Sequence, residues 1–247
     1  MSKVFIGTSG WNYNHWRNGV FYPQGLASSK WLEYYARHFN SVELNVTFYR
    51  LVRKETFKSW YQQTPKNFYF VAKGSRFITH IKRIKSVAEP LNVFWANARH
   101  LNEKLLSILW QFAPGFKKDL QRLEIFLKLL EEINVRQSFE FRHPTWFDED
   151  VYQLLKKYNA CLCVAHSERF PCVKVTTADF MYLRFHGADA ALYSGNYPDG
   201  QLKEWAEYAK QLKRKNILAF FNNDAQGFAV KNAVTFRQLL TKKRGGS

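Results

Sequence analysis

The feature that most constrains the fold of this 247-residue chain is an alternation of short β-rich runs with amphipathic, helix-like segments. The β-rich runs span residues 4–9, 41–45, 69–73, 106–112, 137–142, 161–166, 181–186 and 217–223. Strands that alternate with helices pair in parallel, because each helix returns the chain to the same edge of the sheet. Eight such units in about 250 residues predict an α/β fold, a closed (β/α)8 barrel of the TIM type. A doubly wound open sheet is the structural alternative.

The helix-like segments span residues 29–39, 54–63, 119–133, 148–158, 202–214 and 229–240. The connection between the sixth and seventh runs is short and has no helical pattern, so we expect a reduced connection there. No linker, repeat or composition break divides the chain. We therefore predict a single barrel domain over residues 1–240, followed by a basic, frayed tail at 241–247.

Charge and hydropathy limit the function. Lys and Arg number 37 against 20 for Asp and Glu, which gives a net charge of +17. This excess of positive charge favours an anionic partner, either a small molecule or a nucleic acid. A basic surface that contacts only solvent would give the same net charge. No run of about eighteen apolar residues and no export signal is present, so we expect a cytoplasmic protein without a membrane partner. The sequence does not indicate an oligomeric state.

Alternate residues of a barrel strand face its interior, and the outward ones should be apolar because they pack on helices. Where the outward set is apolar, the inward set becomes polar toward the carboxyl end of each strand. The polar residues placed inside in this way are Glu43, Asn45, Lys73, Gln111, Glu140, Arg142, Arg184 and His186. Barrel enzymes keep their sites at that end, and buried charges are costly unless they pair or meet a ligand. We therefore predict a ligand site.

The cations of this set outnumber its carboxylates, which predicts an anionic, phosphate-bearing substrate. We expect Arg142, Arg184 and Lys73 to bind the anion, Glu43 or Glu140 to act as base, and His186 to donate a proton. The alternative is an internal ion-pair network in which the cations hold both carboxylates ionised, with no proton to give.

Metal and cofactor sites have little support in the sequence. The residues that could bind a divalent ion are Glu43, Glu140, His166, His186 and Asp224. They do not follow a metal-ligand spacing, and Lys73 and Arg142 would repel a cation, so a metal is not favoured. No nucleotide-cofactor motif is present, and no cofactor is assigned.

Residues that follow the first and last runs add binding candidates at the same end. Trp11 and Tyr13 could stack on a sugar or a base, or simply fill the rim. Asn222 and Asn223 precede a turn with Gly227 that opens a helix, where free backbone N–H groups favour an anion. An ordinary capped turn is the alternative there.

The long connection from residue 73 to residue 104 mixes basic and aromatic side chains, including His80, Lys82, Arg83 and Lys85. Such interleaving can follow a phosphodiester backbone and stack bases. An amphipathic helix that covers the barrel mouth is the alternative interpretation.

Several of these residues lie in motifs that resemble the YecE-like family, a family defined by a domain of unknown function. The motifs are IGTSGW at 6–11, VELNVTFY at 42–49, Thr79-His80, Gln111, EFRHPTW at 140–146, RFHG at 184–187 and FNND at 221–224. The resemblance implies a TIM-type barrel and brings no settled activity. It also leads us to expect Asp at the position of His166.

These patterns together predict an enzyme that acts on a phosphate-bearing substrate at the carboxyl-terminal face of the barrel, with nucleic-acid or phosphoester hydrolysis as the leading reaction. Two alternatives stay open. One is a nucleic-acid-binding module that uses its basic surface without catalysis. The other is a glycoside hydrolase that uses Glu43 and Glu140.

Overall fold

The computed structural model describes residues 3–188, 193, 195–211 and 216–241. Its strands are β1 (Val4–Thr8), β2 (Ser41–Leu44), β3 (Tyr69–Lys73), β4 (Leu105–Gln111), β5 (Arg136–Glu140), β6 (Cys161–Leu162), β7 (Val164–His166), β8 (Phe180–Phe185) and β9 (Asn216–Phe221). Its α-helices are α1 (Trp31–His38), α2 (Val46–Tyr49), α3 (Lys54–Gln63), α4 (Ala88–Ala98), α5 (Leu120–Leu130), α6 (Glu149–Lys157), α7 (Asp199–Gln211) and α8 (Phe228–Thr241).

All strand pairs are parallel, and they form two sheets in the described part of the chain. The order is β2-β3-β4-β5-β6 in one sheet and β1-β9-β8-β7 in the other. The sixth predicted run is divided between them, because β6 pairs with β5 whereas β7 pairs with β8. The predicted parallel α/β fold is confirmed, and closure into one eight-stranded ring stays a prediction.

Strands β1 and β2 lie side by side but are joined by side chains, with no backbone ladder between them among the described residues. The Asn40 Oδ1 accepts a hydrogen bond from the Ile6 N–H (3.0 Å), and its Nδ2 donates to a β1 carbonyl (2.7 Å). The Tyr35 hydroxyl accepts from the Thr8 N–H (2.8 Å) and donates to the Ser41 carbonyl (3.2 Å). These bonds satisfy strand-edge groups that would otherwise be buried without partners.

The helices follow the predicted periodicity closely. Helix α5 begins after Asp119, whose Oδ1 accepts from the Arg122 N–H (3.0 Å) and so caps the first turn. It buries Leu123, Phe126, Leu127 and Leu130, which lie on one face because they are three or four residues apart. In the long connection, α4 buries Leu91, Phe94 and Ala98 in the core, and a helix that covers the barrel mouth stays a prediction. Residues 167–179 contain no helix, so the reduced connection is confirmed.

The apolar residues form two clusters on opposite faces of the strands. The larger one lies between strands and helices and contains the residues predicted to point outward, such as Val42, Ile108 and Leu183. The smaller one contains inward residues such as Val71 and Leu109. Successive side chains of a strand alternate between its faces, so this separation agrees with the predicted inward and outward sets.

The predicted tail lies almost entirely outside the described residues, since only Thr241, the last residue of α8, belongs to them. In the part of the chain that is described, none of the helices combines the length and the apolar character needed to cross a membrane. The cytoplasmic location stays a prediction.

The close approach of β1 to β2 depends on Gly7. A Cβ atom at this position would lie 1.9 Å from the Ser41 carbonyl oxygen and 2.7 Å from the Tyr35 hydroxyl. Gly7→Ala therefore has to push the strands apart, and we expect a loss of roughly 1–3 kcal/mol in the free energy of unfolding. Chemical denaturation measures this loss. Gly115→Ala is the matched control, because a Cβ there meets no atom within 4 Å, and equal stability of the two variants would contradict the prediction.

Candidate functional site

Four charged or polar groups meet on the inner face of the strands. The Arg184 guanidinium on β8 donates from Nη1 to Glu140 on β5 (2.5 Å) and from Nη2 to Glu43 on β2 (2.6 Å). The second oxygen of Glu43 accepts from the Tyr182 hydroxyl (2.6 Å). All four side chains are fully buried. One arginine therefore contacts two carboxylates and links strands of both sheets.

Glu140 has two further partners. Its Oε1 accepts from Gln111 Nε2 (2.7 Å) and from Arg142 Nε (2.9 Å). Burial raises the pKa of Glu140, but Arg184 and Arg142 outweigh burial and hold that pKa well below its ordinary value. A carboxylate bound in this way has little tendency to accept a proton. The geometry thus agrees with the ion-pair network that the sequence offered as the alternative to acid–base catalysis.

His186 lies beside this network and is also fully buried. Its Nδ1 is 3.2 Å from the Asn222 side-chain nitrogen, and its Nε2 is 3.4 Å from Glu140 Oε1. Because the amide of Asn222 can only donate, Nδ1 is the acceptor and the ring proton is assigned to Nε2. Burial lowers the pKa of His186 to about 4, so the imidazole is neutral at pH 7.

Lys73 ends β3 at the carboxyl-terminal side and is 6% exposed. Its Nζ lies 4.0 Å from the centre of the Phe48 ring. In the residues that the structure describes, no carboxylate lies within 4 Å of this nitrogen and no hydrogen bond forms to it. Burial, with the added charge of Arg184, lowers the pKa of Lys73 to about 7.

A cavity of about 640 Å³ opens at this end of the strands. Its lining includes five of the predicted binding residues: Trp11, Tyr13, Asn45, Lys73 and Asn222. It also includes four that the sequence analysis missed: Tyr49, Arg50, Trp60 and Tyr193. Tyr49 is the last residue of the VELNVTFY motif, so the motif could have identified it as a site candidate. Trp60 lies in a helix-like segment and belongs to no motif. None of the described residues that line the cavity is Asp or Glu.

The hydrogen bonds of the lining residues orient their polar atoms. Tyr13 donates from its hydroxyl to the Ser9 carbonyl (2.6 Å), and Asn45 Nδ2 donates to the same oxygen (2.9 Å). Asn45 Oδ1 is buried and has no protein partner among the described residues, so it can accept a hydrogen bond from a ligand. Trp11 packs edge-to-face on Trp60, with 5.3 Å between ring centres.

The remaining predicted residues lie apart from the cavity. Asn223 is fully buried and donates to the Gly195 carbonyl (2.9 Å) and to Asn232 (2.8 Å), which fixes the loop before α8. His80 packs edge-to-face on Phe48, and burial together with the charge of Lys73 lowers its pKa to about 4. Two N–H groups of the turn that opens α8 already bind protein carbonyls. Ala225 donates to the Tyr193 carbonyl and Gly227 donates to the Asp224 carbonyl.

Of the residues considered for a metal, Glu43, Glu140 and His186 lie in or beside the arginine network, whereas His166 and Asp224 have other partners. His166 Nδ1 bonds to the Tyr197 hydroxyl (2.8 Å), and Asp224 bonds to His15 (2.8 Å) and Trp16 (2.9 Å). Among the described residues, no three His, Cys, Asp or Glu side chains come together in a group that could hold a metal ion.

Parallel strands with a cavity of polar and aromatic residues at their carboxyl ends define an α/β protein of the general kind in which that end holds the site. The chain belongs to the family described as protein of unknown function DUF72, whose profile matches residues 5–246. The YecE-like resemblance is thereby confirmed. The UPF0759 protein YecE of Escherichia coli K12 is 31% identical over 58% of this chain and 50% of its own length. The UPF0759 protein YunF of Bacillus subtilis is 24% identical over 98% of this chain and 96% of its own length.

Solved structures agree with this assignment. A DUF72 family protein from Thermotoga maritima MSB8 superposes with a TM-score of 0.86 at 32% identity, covering 97% of this chain and 100% of that one. A D-psicose 3-epimerase from Clostridium cellulolyticum H10 superposes with a TM-score of 0.51 at 9% identity, covering 97% and 98%. The second similarity concerns the fold alone.

The low pKa of Lys73 predicts a pH-dependent stability. Its pKa is about 7 in the folded protein and about 10.4 when unfolded, so between these values the unfolded chain binds more protons. Stability should therefore rise with pH in that window. We expect the wild type to gain roughly 2 kcal/mol relative to Lys73→Met between pH 7 and pH 9, measured by urea denaturation. The exposed Lys128→Met is the control, and a constant difference between wild type and Lys73→Met would refute the prediction.

Proposed function

We propose that this protein is an enzyme that binds a small anionic substrate in the cavity at the carboxyl ends of its strands. The observation that carries this proposal is the charge of the lining, which includes Lys73 and Arg50 and has no carboxylate among the described residues. Phosphate and carboxylate groups are the anions that a guanidinium binds through paired hydrogen bonds. The aromatic lining suits a substrate that also carries a planar or ring-shaped part.

In this proposal Arg50 contacts the anion, Lys73 faces the substrate beside it, and Asn45 and Asn222 orient the rest of the substrate. Arg142 supports the site from one side, since its Nη2 lies 3.4 Å from the hydroxyl of the lining residue Tyr193. The carboxylates of Glu43 and Glu140 position the two arginines. His186, predicted as a proton donor, is neutral and faces Glu140, and its catalytic role stays a prediction.

The sequence also predicts two specific reactions, glycoside hydrolysis and phosphoester hydrolysis. Glycoside hydrolysis needs open space between two carboxyl groups for the scissile bond, but the Arg184 guanidinium contacts both Glu43 and Glu140 in that space. The carboxylate-pair alternative is therefore disfavoured. Hydrolysis of a phosphoester stays a prediction. Glu140 is a poor base for this reaction, because Arg184 and Arg142 hold its pKa well below the ordinary value.

We also propose that the strands complete an eight-stranded barrel. The sixth run contributes to both sheets, and the Cys163 N–H between its two halves donates to the Phe139 carbonyl (2.8 Å). On the other side, Asn40 and Tyr35 join β1 to β2. Such a ring would point all strand carboxyl ends to one face, which supports a single site there.

Anion binding can be tested with inorganic phosphate by isothermal titration calorimetry at low salt. A hydrogen bond to a charged group contributes about 1.5–3 kcal/mol, so Arg50→Met should weaken phosphate binding by roughly tenfold or more. Lys128→Met, a charge loss on α5, should leave the affinity unchanged. Equal affinities of the two variants, or no phosphate binding by the wild type, would contradict an anion site in the cavity.

A second candidate function, nucleic-acid binding, is favoured by a groove of about 590 Å³ that shares Tyr49 and Arg50 with the cavity. Its other lining residues include Arg76, Phe77 and Lys82. Tyr49 and Phe77 are 75% and 42% exposed, which is unusual for rings of this size. Exposed rings next to basic side chains can stack bases while the charges follow the phosphates.

This candidate predicts a salt-dependent affinity for a single-stranded oligonucleotide. Replacing Lys82, Arg83 and Lys85 together by Gln should weaken binding and reduce the slope of log affinity against log salt by about 2 units, because up to three phosphate contacts disappear. The matched control removes three charges elsewhere, with Lys128, Lys156 and Lys157 replaced by Gln. If both triple variants lose affinity equally, binding is a general surface effect. Phosphate binding in the cavity should survive in both.

A further inference from the structure

Two lysines are buried in the described part of this protein, and their surroundings differ sharply. Lys104 is 2% exposed, and its Nζ donates to the carbonyls of Tyr61 (2.7 Å) and Thr64 (2.7 Å) and to the Thr64 hydroxyl (3.1 Å). Those three bonds use all the protons of an ammonium group. Lys104 is therefore held in place as a charged, structural residue.

Lys73 has none of these contacts. Its Nζ packs over the Phe48 ring on one side, and its side chain lines the cavity on the other. In the part of the chain that the structure describes, no carboxylate lies within 4 Å of this nitrogen, and the atom is not one of the fully enclosed polar atoms, so it is accessible from the cavity. A buried ammonium without acceptors is costly, and the neutral amine is the less costly form.

The charges around Lys73 oppose one another: Glu140 and Glu43 raise its pKa, whereas Arg184 and Arg142 lower it. Glu43 and Glu140 are the nearby carboxylates, but Arg184 binds both of them. The positive charges of Arg184 and Arg142 therefore oppose a further charge on Lys73. A lysine that is desolvated and lies close to other cations is the form in which an amine becomes a nucleophile near neutral pH.

We infer that Lys73 is a nucleophile that forms an imine with an aldehyde or ketone group of the anionic substrate. This inference rests on the proposed function and names the substrate class, a carbonyl compound with a phosphate or carboxylate group. Arg50 would hold the anionic group while the carbonyl carbon meets the Lys73 Nζ. A cavity of this size accommodates a small metabolite.

The step balances without an oxidant or reductant. The lone pair of the neutral amine attacks the carbonyl carbon, a C–N bond forms, and the carbonyl π electrons move to oxygen. A proton passes from nitrogen to that oxygen and gives a carbinolamine. The hydroxyl then leaves with a second proton as water, and the C=N bond forms. The resulting imine, when protonated, withdraws electrons from the adjacent carbon.

Pyridoxal 5′-phosphate is a suitable probe because it is an aromatic aldehyde that carries a phosphate. Wild-type protein is incubated with limiting probe and cyanoborohydride at pH 7, and the reduced adducts are located by peptide mass spectrometry. We expect labelling of Lys73 at least about tenfold faster than that of Lys104 or an exposed lysine, since far more of its amine is neutral at this pH. The pH profile of Lys73 labelling should have its midpoint near 7. Labelling of Lys73 at or below the rate of Lys104 would overturn the inference.

Variants and competitors separate this inference from the proposed function. Lys73→Met should remove the fast adduct, whereas Lys104→Met should keep it. If either variant fails to fold, the relative labelling rates of the lysines in the wild-type protein still test the inference. Inorganic phosphate should protect Lys73, and pyridoxal without the phosphate should react more slowly. If pyridoxal reacts equally fast and phosphate does not protect, the nucleophile is supported and the anion site fails. If phosphate binds through Arg50 but Lys73 stays unlabelled, the anion site stands and the nucleophile is refuted.

Discussion

The Arg184 guanidinium, held between Glu43 and Glu140, is the interaction on which the interior of this protein depends. All three groups are fully buried, and each ion costs several kcal/mol to remove from water, so the cluster is tolerable only because Arg184 contacts both carboxylates and Arg142 supplies the second positive charge. Arg184 comes from β8 in one sheet, whereas Glu43 and Glu140 come from β2 and β5 in the other. A single cation thus ties the two sheets together at the level where the apolar interior gives way to the cavity.

This pairing also determines the electrostatics of the cavity. Arg184 and Arg142 occupy the carboxylates, and Lys73 is left beside them with two positive neighbours and no counter-ion among the described residues. Lys73 could have bound one of these carboxylates in place of an arginine. Because it does not, the protein keeps an amine of low pKa facing the cavity. The energetic cost of that arrangement is a reason to connect Lys73 with function.

Much of the fold follows from the periodicity of the sequence. The boundaries of α3 coincide with the predicted segment, and the inward positions of Glu43, Lys73, Glu140 and Arg184 follow from the alternation of strand residues. Other features escaped prediction because they have no local pattern. The division of the sixth run between two sheets depends on its neighbours, and so does the junction of β1 and β2 through the side chains of α1 and its following loop. Arg50 was not predicted for the cavity, because it lines the cavity only through the packing of α2 and α3 at the carboxyl ends of the strands.

The sequence by itself determined which side chains point into the interior, since a strand places alternate residues on opposite faces wherever it lies in the sheet. It also determined that the interior would hold more cations than carboxylates. Only the tertiary structure decided which charges pair. Arg184 lies 141 positions from Glu43 and 44 from Glu140, and the distances between their atoms depend on the arrangement of whole strands. For that physical reason, Arg184 is bound by two carboxylates and Lys73 by none, a difference that the order of the residues does not contain.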